Sequence, residues 1–106
     1  MDAPSLPDLD NVLHQPVRTR IAAYLTTRGA ATFKELKQEL NITDGNLDAH
    51  LKKLLAIKYL VSEKQAVQKG RPPTLYKLTP EGAHAFSEYI ETLKRILSPI
   101  FSKNEK

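Results

Sequence analysis

Two helix starts stand close together in this chain, at Thr32 and at Thr43, and they constrain its fold more than any other feature. In Thr32-Phe33-Lys34-Glu35 the threonine oxygen and the glutamate carboxylate can each satisfy an otherwise unpaired backbone donor, the reciprocal arrangement of a capping box. The helix started there carries Phe33, Leu36 and Leu40 on one face and gives out at Asn41-Ile42. Thr43 then caps again, with Asp44 in the first turn, where the helix dipole favours a negative charge. This second helix is predicted from Asp44 to about Ile57, with Leu47, Leu51, Leu54 and Leu55 facing inward. Two short helices separated by so brief a turn form a helix-turn-helix.

The flanking segments extend the pattern on both sides. Residues 1–8, with Pro4 and Pro7, read as an arm, and Leu9 to Leu13 as a short helical turn. Pro16 suits the first position of a helix, where its missing N–H costs nothing; Ile21, Tyr24 and Leu25 follow at helical spacing, and Gly29 closes the segment. After Tyr59 the period changes to that of strands. Leu60 to Val67 and Thr74 to Thr79 flank a loop, Gln68 to Pro73, that carries Lys69 and Arg71 at its tip. Thr79 caps and Pro80 opens a long helix whose apolar residues Ala83, Phe86, Ile90, Leu93 and Leu97 step by three and four, a stripe that requires a helical partner. Ile100 keeps the spacing, but Pro99 is expected to end or kink the helix near Leu97.

Composition removes several classes of function. With 106 residues there is room for one compact domain with its own core. The absence of cysteine excludes disulfides, thiolate metal sites and a thiol nucleophile. The acidic, proline-containing N-terminus and the lack of a long apolar run make the cytosol the expected compartment. No paired carboxylates, nucleophile with base or glycine-rich phosphate loop stands out, so no enzyme is expected and no cofactor is implied. The net charge of +4 is distributed unevenly: residues 1–50 hold five Lys/Arg against seven Asp/Glu, and residues 51–106 hold eleven against five. Between Leu51 and Lys77 seven cations face Glu63 alone, a concentration suited to an anionic partner.

The order of helices, strands and basic loop resembles the winged helix domains of the ArsR and MarR families of bacterial and archaeal regulators. Pro16-Val17-Arg18-Thr19-Arg20-Ile21 is similar to the opening of those domains and Thr32-Phe33-Lys34-Glu35-Leu36 to their second helix. Asp44 to Leu54 is similar to their recognition helix, and Tyr76-Lys77-Leu78-Thr79-Pro80-Glu81-Gly82 to their last strand and final helix start. One departure is Lys58, where relatives commonly have glycine: it must either take a left-handed conformation or let the helix end differently.

The resemblance implies an α+β, mostly α fold: a three-helix core, a two-stranded wing hairpin and a long C-terminal dimerisation helix. The expected division is an arm at 1–8, a winged helix DNA-binding domain at 9–79, and a dimerisation helix with its tail at 80–106. The implied function is sequence-specific regulation of transcription, as a repressor, by a homodimer on a pseudo-palindromic stretch of double-stranded DNA. A winged helix used only for protein interaction, and a non-specific architectural nucleic-acid binder, are the competing classes.

In such a fold the third helix enters the major groove, exposing Asp44, Gly45, Asn46, Asp48, Ala49, Lys52 and Lys53. Asn46 is a candidate reader of adenine or merely a turn former; Gly45 allows close approach or is merely tolerated. Lys52 and Lys53 are candidates for phosphate contact, Asp48 for cytosine or for plain solvation. Thr32, Lys34 and Lys37 on helix two, and Thr43 at the next cap, are placed to meet the backbone, and Lys69 and Arg71 to meet phosphate or the minor groove. Arg18 has an alternative structural role against helix two, and His50, on the inner edge of the third helix, reads as a packed, hydrogen-bonded histidine rather than as a ligand or a pH switch. His84 and Glu88 share a helix face, which reads as solvated polar surface and not as a metal site. For the interface with a second copy the candidates are Phe86, Ile90, Leu93, Ile96, Leu97, Ile100 and Phe101, joined by Leu6, Leu9, Val12 and Leu13.

Overall fold

A computed structural model describes residues 8–65, 70 and 73–104. The elements follow in the order α1 (Pro16–Arg28), β1 (Ala31–Thr32), α2 (Phe33–Leu40), α3 (Asp44–Ala56), β2 (Leu60–Lys64), β3 (Thr74–Leu78) and α4 (Pro80–Asn104). The local signals act where the sequence puts them. Pro16 opens α1 behind Gln15, whose side chain accepts the Arg18 N–H, and Gly29 closes it with a φ of 86°. Both halves of the capping box at Thr32 and Glu35 are formed, and the Thr43 hydroxyl accepts the Asn46 N–H at 3.2 Å.

The core is one cluster. Leu13, Ile21, Leu25, Leu36, Leu47, Leu51 and Leu54 are its largest enclosed side chains, so α1, α2 and α3 each give one face to it. Leu55 is only partly buried. The N-terminal turn is built in through Leu13, and Asp10 holds that turn by accepting the N–H groups of Val12 and Leu13 at 2.9 and 3.0 Å.

The sheet has three strands in the order β1-β3-β2, one more than the hairpin alone. β2 and β3 pair from Leu60↔Leu78 to Lys64↔Thr74, and β1 adds Ala31↔Tyr76 and Thr32↔Leu75 along the other edge of β3. Thr32 therefore ends a strand and caps a helix at once. The outer part of the wing, including Lys69 and Arg71, lies outside the described residues, as does most of the N-terminal arm with Leu6.

Lys58 takes the left-handed conformation, with φ 66°. Its own N–H donates to the Leu55 carbonyl and the Tyr59 N–H donates to the Leu54 carbonyl, both at 3.0 Å. This pair of bonds is a Schellman motif, which satisfies the last carbonyls of α3 and turns the chain into β2. The helix accordingly ends at Ala56, one residue before the predicted limit.

The long helix departs from expectation in two respects. It continues through Pro99 to Asn104, so of the end or kink expected near Leu97 the end does not occur. Proline removes its own N–H from the ladder and its ring crowds the Arg95 carbonyl one turn earlier, but that carbonyl lies on a largely exposed stretch of helix where it can tilt outward to water. The inward face is also rotated from the predicted one. Ala83 is exposed, while Gly82, Phe86, Tyr89 and Thr92 are buried. Phe86, expected to meet a second copy, is instead enclosed in its own domain beside Tyr89, with ring centroids 6.2 Å apart.

Replacing Lys58 by glycine removes the left-handed penalty of a side-chain-bearing residue and should stabilise the fold by about 1 kcal/mol in urea denaturation. Unchanged or lower stability would show that the lysine takes up this conformation without strain.

Candidate nucleic-acid interface

The face of α3 opposite Leu47, Leu51 and Leu54 carries Asp44, Gly45, Asn46, Asp48, Ala49, Lys52 and Lys53, and every one of them is exposed. The sequence-predicted readers are thus brought onto one surface. The Thr43 cap uses the backbone N–H of Asn46, so the side-chain amide is not the capping group. At Gly45 an added Cβ would meet nothing within 4 Å, so the domain's own packing does not require glycine there.

Ion pairs temper this surface. Lys52 meets Asp48 one turn away at 3.0 Å, Lys37 on α2 meets Asp44 at 2.8 Å, and Lys77 on β3 meets Glu63 on β2 at 3.2 Å. All six side chains are well exposed, so each pair contributes roughly 0–1 kcal/mol and yields readily to a phosphate. Lys34 is exposed in the first turn of α2. The Thr32 and Thr43 oxygens both accept capping bonds, from Glu35 and Asn46, yet a hydroxyl that accepts still has a proton to donate. Those two threonines remain chemically able to meet a backbone oxygen.

Several residues that position this face carry weak or no signals of their own in the sequence. The Arg18 guanidinium joins the Val12 carbonyl to His50 on α3, at 2.6 and 3.1 Å. The Tyr59 hydroxyl donates to Asp10 at 2.5 Å. That bond, then burial, then the charges of Asp10 and Glu81 push the tyrosine up to about 12. Because the protonated form is the one favoured, this contribution is complete below the ordinary value near 10 and fades only as pH rises through about 12. Tyr76, half-buried on β3, is raised by burial and then by the charge of Asp48. His14 meets the Tyr89 hydroxyl at 2.9 Å, linking the N-terminal turn to α4.

On α4 the stripe beyond Phe86 is graded. Ile90, Leu93 and Ile96 are partly buried, Leu97 is 38% exposed and Ile100 56% exposed. The Phe101 side chain lies outside the described residues. His84 and Glu88 are exposed, and among the described residues no helix is long and apolar enough to cross a membrane.

A family profile described as a winged helix DNA-binding domain matches residues 17–97. The chain belongs to this family. An uncharacterized protein of Methanocaldococcus jannaschii is 43% identical over 79 residues, spanning 74% of this chain and 85% of that protein. The structure of a transcriptional regulator homologue from Pyrococcus horikoshii OT3 has a TM-score of 0.78 at 28% identity, over 86% of this chain and 89% of that one. The apo form of MarR from E. coli shares the fold at a TM-score of 0.68 and 22% identity, over 82% of this chain and 63% of the MarR chain. The family is that of winged helix DNA-binding domains, and the fold is shared with the transcriptional regulator homologue and with MarR.

The two lysines late in the recognition helix give the site a quantitative test. Replacing Lys52 and Lys53 together by alanine should weaken binding to every duplex and lower the slope of log affinity against log salt by about two. A slope unchanged in titrations at several salt concentrations would remove both from the phosphate contacts.

Proposed function

We propose that this winged helix protein represses transcription as a homodimer, with α3 of each copy in successive major grooves of a pseudo-palindromic operator. The observation that carries the reading is the recognition face itself. An amide, a glycine, a carboxylate and two lysines stand exposed on one side of a helix whose other side is locked into the core. Such a face offers hydrogen-bonding groups for base edges and cations for phosphates in one surface.

In this account Asn46 pairs with adenine through its side-chain amide, and Gly45 lets the helix start approach the groove. Lys52 and Lys53 exchange their solvent or ion-pair contacts for phosphates, joined by Lys34, Thr32 and Thr43 from the helix starts. Asp48 accepts from cytosine or discourages wrong sites, and Lys69 and Arg71 reach phosphate or the minor groove from the wing. Cations concentrated between Leu51 and Lys77 favour a nucleic acid over a purely protein-binding wing.

Dimerisation is supported by the outer half of α4. Leu97 and Ile100 are exposed at 38% and 56%, and Ile90, Leu93 and Ile96 are only partly covered within the chain. A two-fold contact along this stripe, continued by Phe101, sets the recognition helices about 34 Å apart, one turn of the duplex. The wild-type protein should therefore scatter light as a dimer, and replacement of Leu93 and Leu97 by serine should give a folded monomer with weakened operator binding. A dimer that survives both substitutions would place the interface elsewhere.

A further inference from the structure

Arg18, in the first turn of α1, reaches in two directions. Its Nε donates to the Val12 carbonyl at 2.6 Å, and its Nη1 stands 3.1 Å from Nδ1 of His50 on α3. A guanidinium has five N–H groups and nothing that accepts. The contact therefore requires the lone pair of Nδ1, which puts the imidazole proton on Nε2 and leaves the ring uncharged.

The other end of the link is fixed. Val12 sits in the turn that Asp10 caps, next to the fully buried Leu13, and the same Asp10 carboxylate accepts from Tyr59. The guanidinium thus rests on an anchored carbonyl and holds one flank of α3. That flank is the one on which Asn46 lies one turn before His50 and Lys53 one turn after it.

We propose that Arg18, acting through His50, is a positioning residue for sequence-specific DNA contact, and that it can act only while His50 is neutral. The proposal rests on the operator-binding reading above. A proton on Nδ1 removes the acceptor and sets an imidazolium against a guanidinium. Burial, then the charges of Arg18 from α1 and Lys53 from the same helix, all hold the ring below its ordinary 6.5. A base depressed in this way contributes fully above that ordinary value, and the contribution is lost as pH falls through the lowered one. The link is closed at neutral pH and opens in acid.

Acid has a second effect of opposite sign. A protonated His50 adds positive charge to a surface that meets a polyanion, so affinity for arbitrary DNA holds or rises. The ratio of operator to non-operator affinity separates the two effects, since only loss of positioning lowers it.

The test measures fluorescence anisotropy of an operator duplex and a scrambled duplex at fixed ionic strength, between about pH 5 and 8. The wild-type ratio should fall by up to about tenfold per pH unit below the His50 midpoint. In His50→Asn the amide oxygen replaces the Nδ1 acceptor and cannot gain a proton, so the neutral-pH ratio should persist and become flat with pH. Arg18→Ala should give a low, flat ratio. A flat wild-type ratio, or an acid loss retained by His50→Asn, would overturn the proposal. Nitrogen-resolved NMR of the histidine rings tests the link without DNA: His50 should carry its proton on Nε2, with a midpoint that rises in Arg18→Ala. The wrong tautomer refutes the link whatever the DNA does. The right tautomer with no duplex preferred over another refutes operator binding itself, and the proposal falls with it.

Discussion

The peptide at Lys58 and Tyr59 joins the three working parts of this protein. Its left-handed turn ends the recognition helix, and Tyr59 leads directly into the wing. The Tyr59 carbonyl accepts from the Thr79 N–H at 3.0 Å, and the Thr79 hydroxyl donates to the Lys58 carbonyl at 2.7 Å while accepting from Gly82 at 2.9 Å. Gly82 follows so closely that a Cβ on it would lie 2.1 Å from the Tyr59 oxygen. Only a residue without a side chain lets the long helix start there. With the Tyr59 hydroxyl on Asp10, one short stretch fixes the recognition helix, the wing, the long helix and the N-terminal turn to one another.

This rigidity bears directly on function. A reading face distinguishes one base pair from another only if its side chains are held in place, whereas phosphate contacts tolerate displacement. On α3, Leu47, Leu51 and Leu54 clamp one side, His50 is tied at the flank, and on the outer side Lys52 with Asp48 and Asp44 with Lys37 form exposed ion pairs that are weak enough to exchange. On the proposed reading, positioning is built into the interior and the N-terminal turn, and affinity is left to the surface.

What the sequence disclosed was what short-range chemistry controls. Caps at Thr32, Thr43 and Thr79, the proline at the head of α1 and the closing Gly29 act within a few residues, and each helix start followed from them. The outward face of α3 was legible because helical period alone separates it from the leucines. What depended on distant partners was not. The two residues of β1 show no alternation of their own and become a strand only because β3, far along the chain, comes to lie beside them. Arg18 with His50, and His14 with Tyr89, are separated by 32 and 75 residues, so no spacing announced either pair. The turn of α4 that buries Gly82 and exposes Ala83 accompanies the close approach at Tyr59, while hydrophobic period by itself put Ala83 on the inner stripe with Phe86.

The central claim is that α3 reads sequence in the context of a symmetric pair. Its most direct test is selection of the purified protein against a random pool of duplex DNA at near-physiological salt, followed by sequencing of the bound fraction. The account predicts enrichment of an inverted repeat with half-site centres about one helical turn apart. Salt-sensitive binding without an enriched sequence, or no binding to duplex DNA at all, would contradict it.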